Sequence, residues 1–266
     1  MPAINLARLR KQTAVLVDHF NQPEAFLRLL HDLLDHYADH ILRHGQAGEP
    51  PPLIQAYRVP APMLRQLAQE LAPRASEDAP LTLALCDALW TQAYLEPRIL
   101  AATLIGQAPL TSVDDVLSRV EKWAESTSEE RLIEALANRG LMRVQQEQPE
   151  RLLLQIEAWL GTESLMLRRI GLRALISLIS DASFENLPVA LKLVTPYVRV
   201  APLPLKPDIL DVLAALARRS AKETAYFLRQ NLDVSGDTDT AWLIRQSLRF
   251  FPVETQDSLR DAIRRT

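Results

Sequence analysis

A tryptophan followed eight or nine positions later by an arginine recurs three times along this chain. Trp90 precedes Arg98 by eight residues, Trp123 precedes Arg131 by eight, and Trp159 precedes Arg168 by nine. The tryptophans stand 33 and 36 residues apart. Each closes one amphipathic stretch and each arginine opens the next, ahead of an apolar run: ILAATLI, LIEAL and, after Arg169, IGLRALISLI. A period of this length made of two helices marks a helical solenoid. One such hairpin cannot bury its apolar stripe alone, so neighbours must stack into a shared core. Three pairs in the same helix–turn–helix frame outweigh chance spacing.

The rest of the chain agrees. Glycine is scarce, with 7 residues, and the 18 prolines fall mostly between periodic apolar stretches, where they punctuate helices. No segment sustains the apolar–polar alternation of a half-buried strand. The pattern predicts helices near 3–19, 23–44, 61–73, 80–92, 95–108, 112–125, 128–143, 148–160, 164–180, 184–199, 207–218, 221–232, 238–250 and 253–264. Gly45–Leu53 (GQAGEPPPL) reads as an extended connector, and Ala201–Pro207 (APLPLKP) as a second proline-rich joint. Thr127 with Glu130 and Ser220 with Glu223 have capping-box spacing. Gly161 stands where a helix end tolerates a left-handed residue.

Several function classes drop out. The single cysteine, Cys86, permits no internal disulfide and fits a reducing compartment. The N-terminus lacks the apolar core of a secretory signal, and no stretch is apolar and long enough to span a bilayer. A cytoplasmic protein without membrane contact is expected. The net charge of −3 weighs against an indiscriminate nucleic-acid binder. No glycine-rich phosphate loop or nucleophile elbow is present.

Three stretches give the chain its resemblance to the bacterial DNA alkylation repair (AlkD-like) family of HEAT-like repeat proteins. Tyr57–Arg58–Val59–Pro60, leading to Leu64–Arg65–Gln66–Leu67–Ala68, is similar to the family's approach to its repeats. Leu89–Trp90, then Tyr94, Glu96, Arg98 and Ala101–Ala102, resembles its hallmark hairpin, and Leu167–Arg168–Arg169–Ile170–Gly171–Leu172 its arginine-pair helix start. Ile244–Arg245 with Leu248–Arg249 is a weaker likeness near the family's last repeat. The likeness runs from about residue 54 to 251.

The resemblance implies a concave solenoid that grips the DNA backbone and, in active members, excises positively charged alkylated bases. A carboxylate stabilises the cationic character that develops on the sugar. The family motif for it is tryptophan–aspartate-x-x-aspartate. The internal register puts the family's tryptophan on Glu130, its first aspartate on Arg131 and its second on Glu134, so a cation stands where the resemblance implies a catalytic anion. A register slipped by one would put Glu130 at the aspartate position. The aromatic position before the arginine pair falls on Met166 or Leu167, and the family's cradle tryptophan near Phe250. Arg168 or Arg169 matches the backbone-contacting arginine.

Beside these, Arg168, Arg169 and Arg173, then Arg218, Arg219 and Lys222, then Arg245 and Arg249 form a series that equivalent repeat positions would set along one surface. Against this stands arginine's ordinary use as a soluble helix former. Trp242, outside the Trp–Arg frame, is the tryptophan best suited to stacking on a base. His36, His40 and His44 are four residues apart and precede residue 45, as all the histidines do. They border an apolar stripe and read as a solvated flank rather than a metal site. Cys86, among Leu85, Ala88 and Leu89, reads as core filling. No metal and no cofactor is expected.

The sequence thus predicts an all-α fold, a HEAT-like α-solenoid (ARM-type superhelix) of stacked antiparallel helix pairs. It reads as one domain over 1–266, with an N-terminal helical pair and connector at 1–52 and repeats at 53–266. The expected function is a diverged DNA alkylation repair family protein that binds the backbone of double-stranded DNA through Arg168, Arg169, Arg245, Arg249, Phe250 and Trp242. Catalysis stays open, with Arg131 or Glu130 at the decisive position and the residues weighing against an enzyme. The alternative is a non-catalytic HEAT-like scaffold with a protein or peptide in its groove.

Overall fold

A computed structural model describes residues 6–38, 52–235 and 238–265. Every regular element among them is helical, and the one β-bridge, between Gln55 and Tyr94, is isolated. They fall into two compact units, 1–148 and 149–266.

In unit 1, α1 (Leu6–Asp18), α3 (Ala61–Ala75), α5 (Leu95–Ile105) and α7 (Glu130–Ala135) pack successively as one row. Helix α2 (Pro23–Tyr37) packs on α4 (Ala79–Trp90) behind them, and α6 (Val113–Glu125) and α8 (Met142–Glu147) complete the unit. In unit 2, α10 (Leu165–Ser180), α12 (Lys206–Arg219) and α14 (Thr238–Ser247) form one row. Helices α11 (Leu187–Arg199), α13 (Ala221–Ser235) and α15 (Val253–Arg265) form the other, while α9 (Pro149–Gly161) pairs with α10. Short turns join α4 to α5 and α9 to α10, so these pairs run antiparallel, as the repeat predicts.

The geometry explains the Trp–Arg signature. Trp90, Trp123 and Trp159 are 6%, 4% and 1% exposed. The indoles of Trp90 and Trp123, at the ends of α4 and α6, stack with centroids 4.7 Å apart and planes 8° from parallel. Trp90 Nε1 donates to Ser126 Oγ at 3.2 Å. Arg98 Nε donates to the Gln92 carbonyl at 2.7 Å and Arg168 Nε to the Thr162 carbonyl at 2.5 Å. Both carbonyls lie six residues back, in the turn of the helix pair. These two arginines therefore satisfy an orphan acceptor at a helix end.

Three local expectations need correction. The helix predicted over 128–143 is interrupted: after α7 comes a π turn, Leu136–Gly140, closed by Leu141 N–H donating to the Leu136 carbonyl at 3.2 Å, and then α8. The π turn packs against the end of α5, where a Cβ on Gly106 would sit 1.8 Å from the Arg139 carbonyl oxygen. Only hydrogen fits there, and tertiary approach rather than local propensity places this glycine. Second, the cap of α7 is Glu129, which accepts from Arg131 N–H at 3.4 Å, rather than Thr127. Thr127 Oγ1 instead accepts from Glu129 N–H at 3.1 Å. The Ser220 cap does form, accepting from Glu223 N–H at 3.4 Å. Third, Gly161 is the last residue of α9, outside the left-handed region, and a Cβ there would meet nothing within 4 Å.

The connector is described only from Pro52 onward, and two buried glutamates hold it. Glu129 Oε2 accepts from Leu53 N–H at 2.6 Å. The carboxylate of Glu96 accepts from Tyr57 N–H at 3.0 Å and from Arg58 N–H at 2.7 Å. Arg58 has a φ of 57°, a left-handed conformation that costs a non-glycine residue roughly 1–2 kcal/mol, offset here by the two-pronged carboxylate. Leu95 N–H reaches the Gln55 carbonyl at 2.8 Å between them.

Candidate functional site

Unit 1 contains a cavity of about 790 Å³ between the connector, α3, α5 and α7. Leu53, Val59, Leu64, Leu95 and Ile99 give it apolar walls. Glu130, Arg131 and Glu134, from the first turns of α7, enter it together with Arg58 and Arg139. Both residues considered for the decisive position, Arg131 and Glu130, thus line one cavity, joined by Glu134. Arg131 is half-buried, whereas Glu130 and Glu134 are exposed. Glu96 and Glu129 also border the cavity, but their carboxylates hold connector N–H groups. A second cavity of about 380 Å³ lies between α3, α5 and the π turn, sharing Leu64 and Arg139 with the first.

In unit 2 the predicted arginine series separates. Arg168 is committed to the α9–α10 turn, and Arg219 Nη2 donates to the carbonyls of Ala182 and Phe184 at 2.8 and 3.0 Å. Arg169 and Arg173 converge on Asp208 of α12: their Nε atoms lie 3.1 and 2.8 Å from its two oxygens. Asp208 is 1% exposed, and the two arginine side chains are 18% and 17% exposed. Desolvation and the neighbouring Asp208 raise the Asp211 carboxyl above the usual carboxylate range, against the pull of Arg173, Arg218 and Arg249. Arg245 and Arg249 are exposed, and the Arg249 guanidinium lies 5.0 Å from the centroid of the half-buried Phe250 ring. Trp242 is half-buried, with Lys206 Nζ 4.5 Å from its ring centroid and Asp239 2.9 Å from the same ammonium. Arg245 and Arg249 fall between Trp242 and Phe250 along the chain, so two cations are flanked by two aromatics here.

Other candidates are placed as follows. Cys86 is fully buried and its thiol is pushed up by desolvation, as core filling requires. His36 is exposed at the end of α2, while His40 and His44 lie outside the described residues. No group of three potential metal ligands occurs among the described residues. No described helix is long and apolar enough to cross a membrane. One polar cluster had no forewarning: His31 Nδ1 is 2.7 Å from Tyr57 Oη and Nε2 is 3.0 Å from Gln92 Oε1. Burial, then Tyr94, Asp35 and Glu96, push the Tyr57 phenol up to about 12.

Sequence reasoning passed over Glu129, Asp208 and Arg139, and it named Glu96 and Arg65 only as parts of the family likeness, with no role of their own. Glu96 and Glu129 carried a usable signal, since they are 33 residues apart, the spacing of Trp90 and Trp123. Asp208 carried none, because its partners lie 39 and 35 residues away on another helix.

A sequence model of the family described as DNA alkylation repair enzyme matches residues 53–249. No curated protein and no solved structure matches the chain.

Proposed function

The chain belongs to the DNA alkylation repair enzyme family, and we propose that it binds double-stranded DNA through the phosphate backbone and excises alkylated bases weakly at most. The observation that carries the binding reading is the gathering of cations and aromatics on α14 and just beyond its end: half-buried Trp242, exposed Arg245, exposed Arg249 and half-buried Phe250. Arginines hold phosphates, and ring faces suit nucleotides. Arg169 sits in the same row, on α10, but shares Asp208, so it is the less available cation.

Affinity for a duplex is expected to fall steeply with salt, since each neutralised phosphate releases counterions. Arg245→Ala and Arg249→Ala should weaken binding to all sequences alike and flatten the salt slope by about 1 each, because a phosphate contact carries no base information. Anisotropy titrations at several salt concentrations measure this. Binding indifferent to salt, or none at low salt, would sink the proposal and favour a protein or peptide partner.

Weak excision follows from Arg131. A guanidinium keeps its proton at any ordinary pH, so it cannot stand in for a carboxylate facing a developing cation. Each 1.36 kcal/mol of lost stabilisation costs about tenfold in rate. Only trace release of a cationic methylated purine is expected under single-turnover conditions, and Arg131→Asp should increase it. The cavity itself favours a second reading, because Glu130 and Glu134 face it beside Arg131. Robust excision by the wild type, lost in Glu134→Gln or Glu130→Gln, would establish that one of these carboxylates does the work.

A further inference from the structure

We propose that the smaller cavity of unit 1, between α3, α5 and the π turn, is a phosphate subsite in which Arg65 and Arg139 hold a phosphodiester of a bound DNA strand. The inference rests on the DNA-binding reading above and adds a site to it in the other unit.

The lining of this cavity is chemically one-sided. Arg65 and Arg139 are its only charged residues, and Gln69, Thr103 and Gln107 add neutral polar groups. Arg65 and Gln69 lie four apart on α3 and so share a helix face, while Thr103 comes from the last turn of α5 and Gln107 from the turn that follows it. Arg139 comes from the π turn. A bound phosphate would therefore meet groups from α3, from the end of α5 and its turn, and from the π turn that follows α7.

The two guanidinium groups differ from most others in the unit. Arg10 pairs with Glu70, Arg119 with Asp87 and Arg143 with Glu147. Arg65 and Arg139 are exposed and have neither a side-chain hydrogen bond nor an ion pair to any described residue. Two cations at one cavity with no anion between them repel each other, and a bound oxyanion reverses the sign of that interaction. Arginine suits the task, because its planar fork meets phosphate oxygens two at a time. A π turn is also a frequent mark of functional segments.

Position selects the source of the phosphate. The subsite shares Leu64 and Arg139 with the larger cavity that holds Glu130, Arg131 and Glu134. A strand with one phosphate here would have its adjoining nucleotide beside that cavity, an arrangement a free anion does not use.

The test is a titration of a labelled duplex against the full chain and its Arg65→Ala, Arg139→Ala, double-alanine and double-lysine variants, over a salt series. Arg260→Ala, on α15, is the control. At roughly 0.15 M salt each lost phosphate contact should weaken binding about fivefold and lower the salt slope by about 0.9. The lysine pair should recover part of the loss. Inorganic phosphate added at fixed ionic strength should not remove the Arg65- and Arg139-dependent part of the affinity; if it does, the site serves a free anion and the assignment is overturned. Wild-type binding that is salt-dependent yet unchanged in the double-alanine variant overturns this inference and leaves the functional reading standing. No wild-type binding overturns both.

Discussion

Trp123→Ala is expected to destabilise the protein by about 3–5 kcal/mol, the range for truncating a large aromatic in a core. The indole is 4% exposed and stacks on Trp90, so its loss removes apolar burial and leaves a void against the neighbouring ring. Little can collapse into that void. Trp90 is tied through Nε1 to Ser126, whose own hydroxyl is tied to the Trp123 carbonyl at 2.8 Å. Urea unfolding followed by circular dichroism reads the loss, and hydrogen exchange in α4 and α6 localises it to unit 1. Trp242→Ala is the comparison: half-buried and outside the repeat, it should cost far less. Equal, small effects in both variants would show that the stacked pair does not hold the repeat together.

Asp208→Ala should cost about 3 kcal/mol, near the lower end of what breaking a buried ion pair costs, since the arginine side chains keep some solvent contact. The carboxylate is 1% exposed and its oxygens are divided between Arg169 and Arg173. Its removal leaves two guanidinium groups crowded together with their shared anion gone. Much of the cost is that residual repulsion, so Asp208→Ala combined with Arg173→Met should be more stable than Asp208→Ala alone. Chemical denaturation of the three proteins decides it. A double variant less stable than Asp208→Ala would mean that Arg173 contributes mainly by packing. The same carboxylate competes with any phosphate for Arg169, so Asp208→Ala should also bind duplex DNA more tightly at low temperature, where it stays folded.

Much of this architecture was legible because local and tertiary demands coincide. The helix predicted over 61–73 forms as Ala61–Ala75, and that over 112–125 as Val113–Glu125, each bounded by proline or by a polar residue before an apolar period. The Trp–Arg spacing was legible for the same reason: Arg98 and Arg168 satisfy carbonyls only six residues away. Sequence reading failed where the partner is remote. Nothing local in Leu136–Gly140 calls for a π turn, which is fitted to Gly106 at the cap of α5. The candidate site was half legible. Glu130 and Arg131 do share a cavity, and Arg245, Arg249 and Phe250 do gather at one end of α14, yet Arg168 proved to be a turn-closing residue. An arginine's charge can be read from sequence, but what neutralises it cannot.

The contact between Gly106 and the π turn has a consequence for how an anion would be received. Because backbone meets backbone there, with no room for a side chain between, the backbone of Arg139 packs directly on Gly106 rather than on an adjustable side chain. The root of that side chain is held against α5, while its guanidinium is left to solvent. A ligand arriving at Arg139 has no loop to freeze. Only the side-chain rotamers remain to be ordered, at about 0.5–1.5 kcal/mol for so flexible a side chain, so the backbone-ordering part of the cost of association has been met during folding.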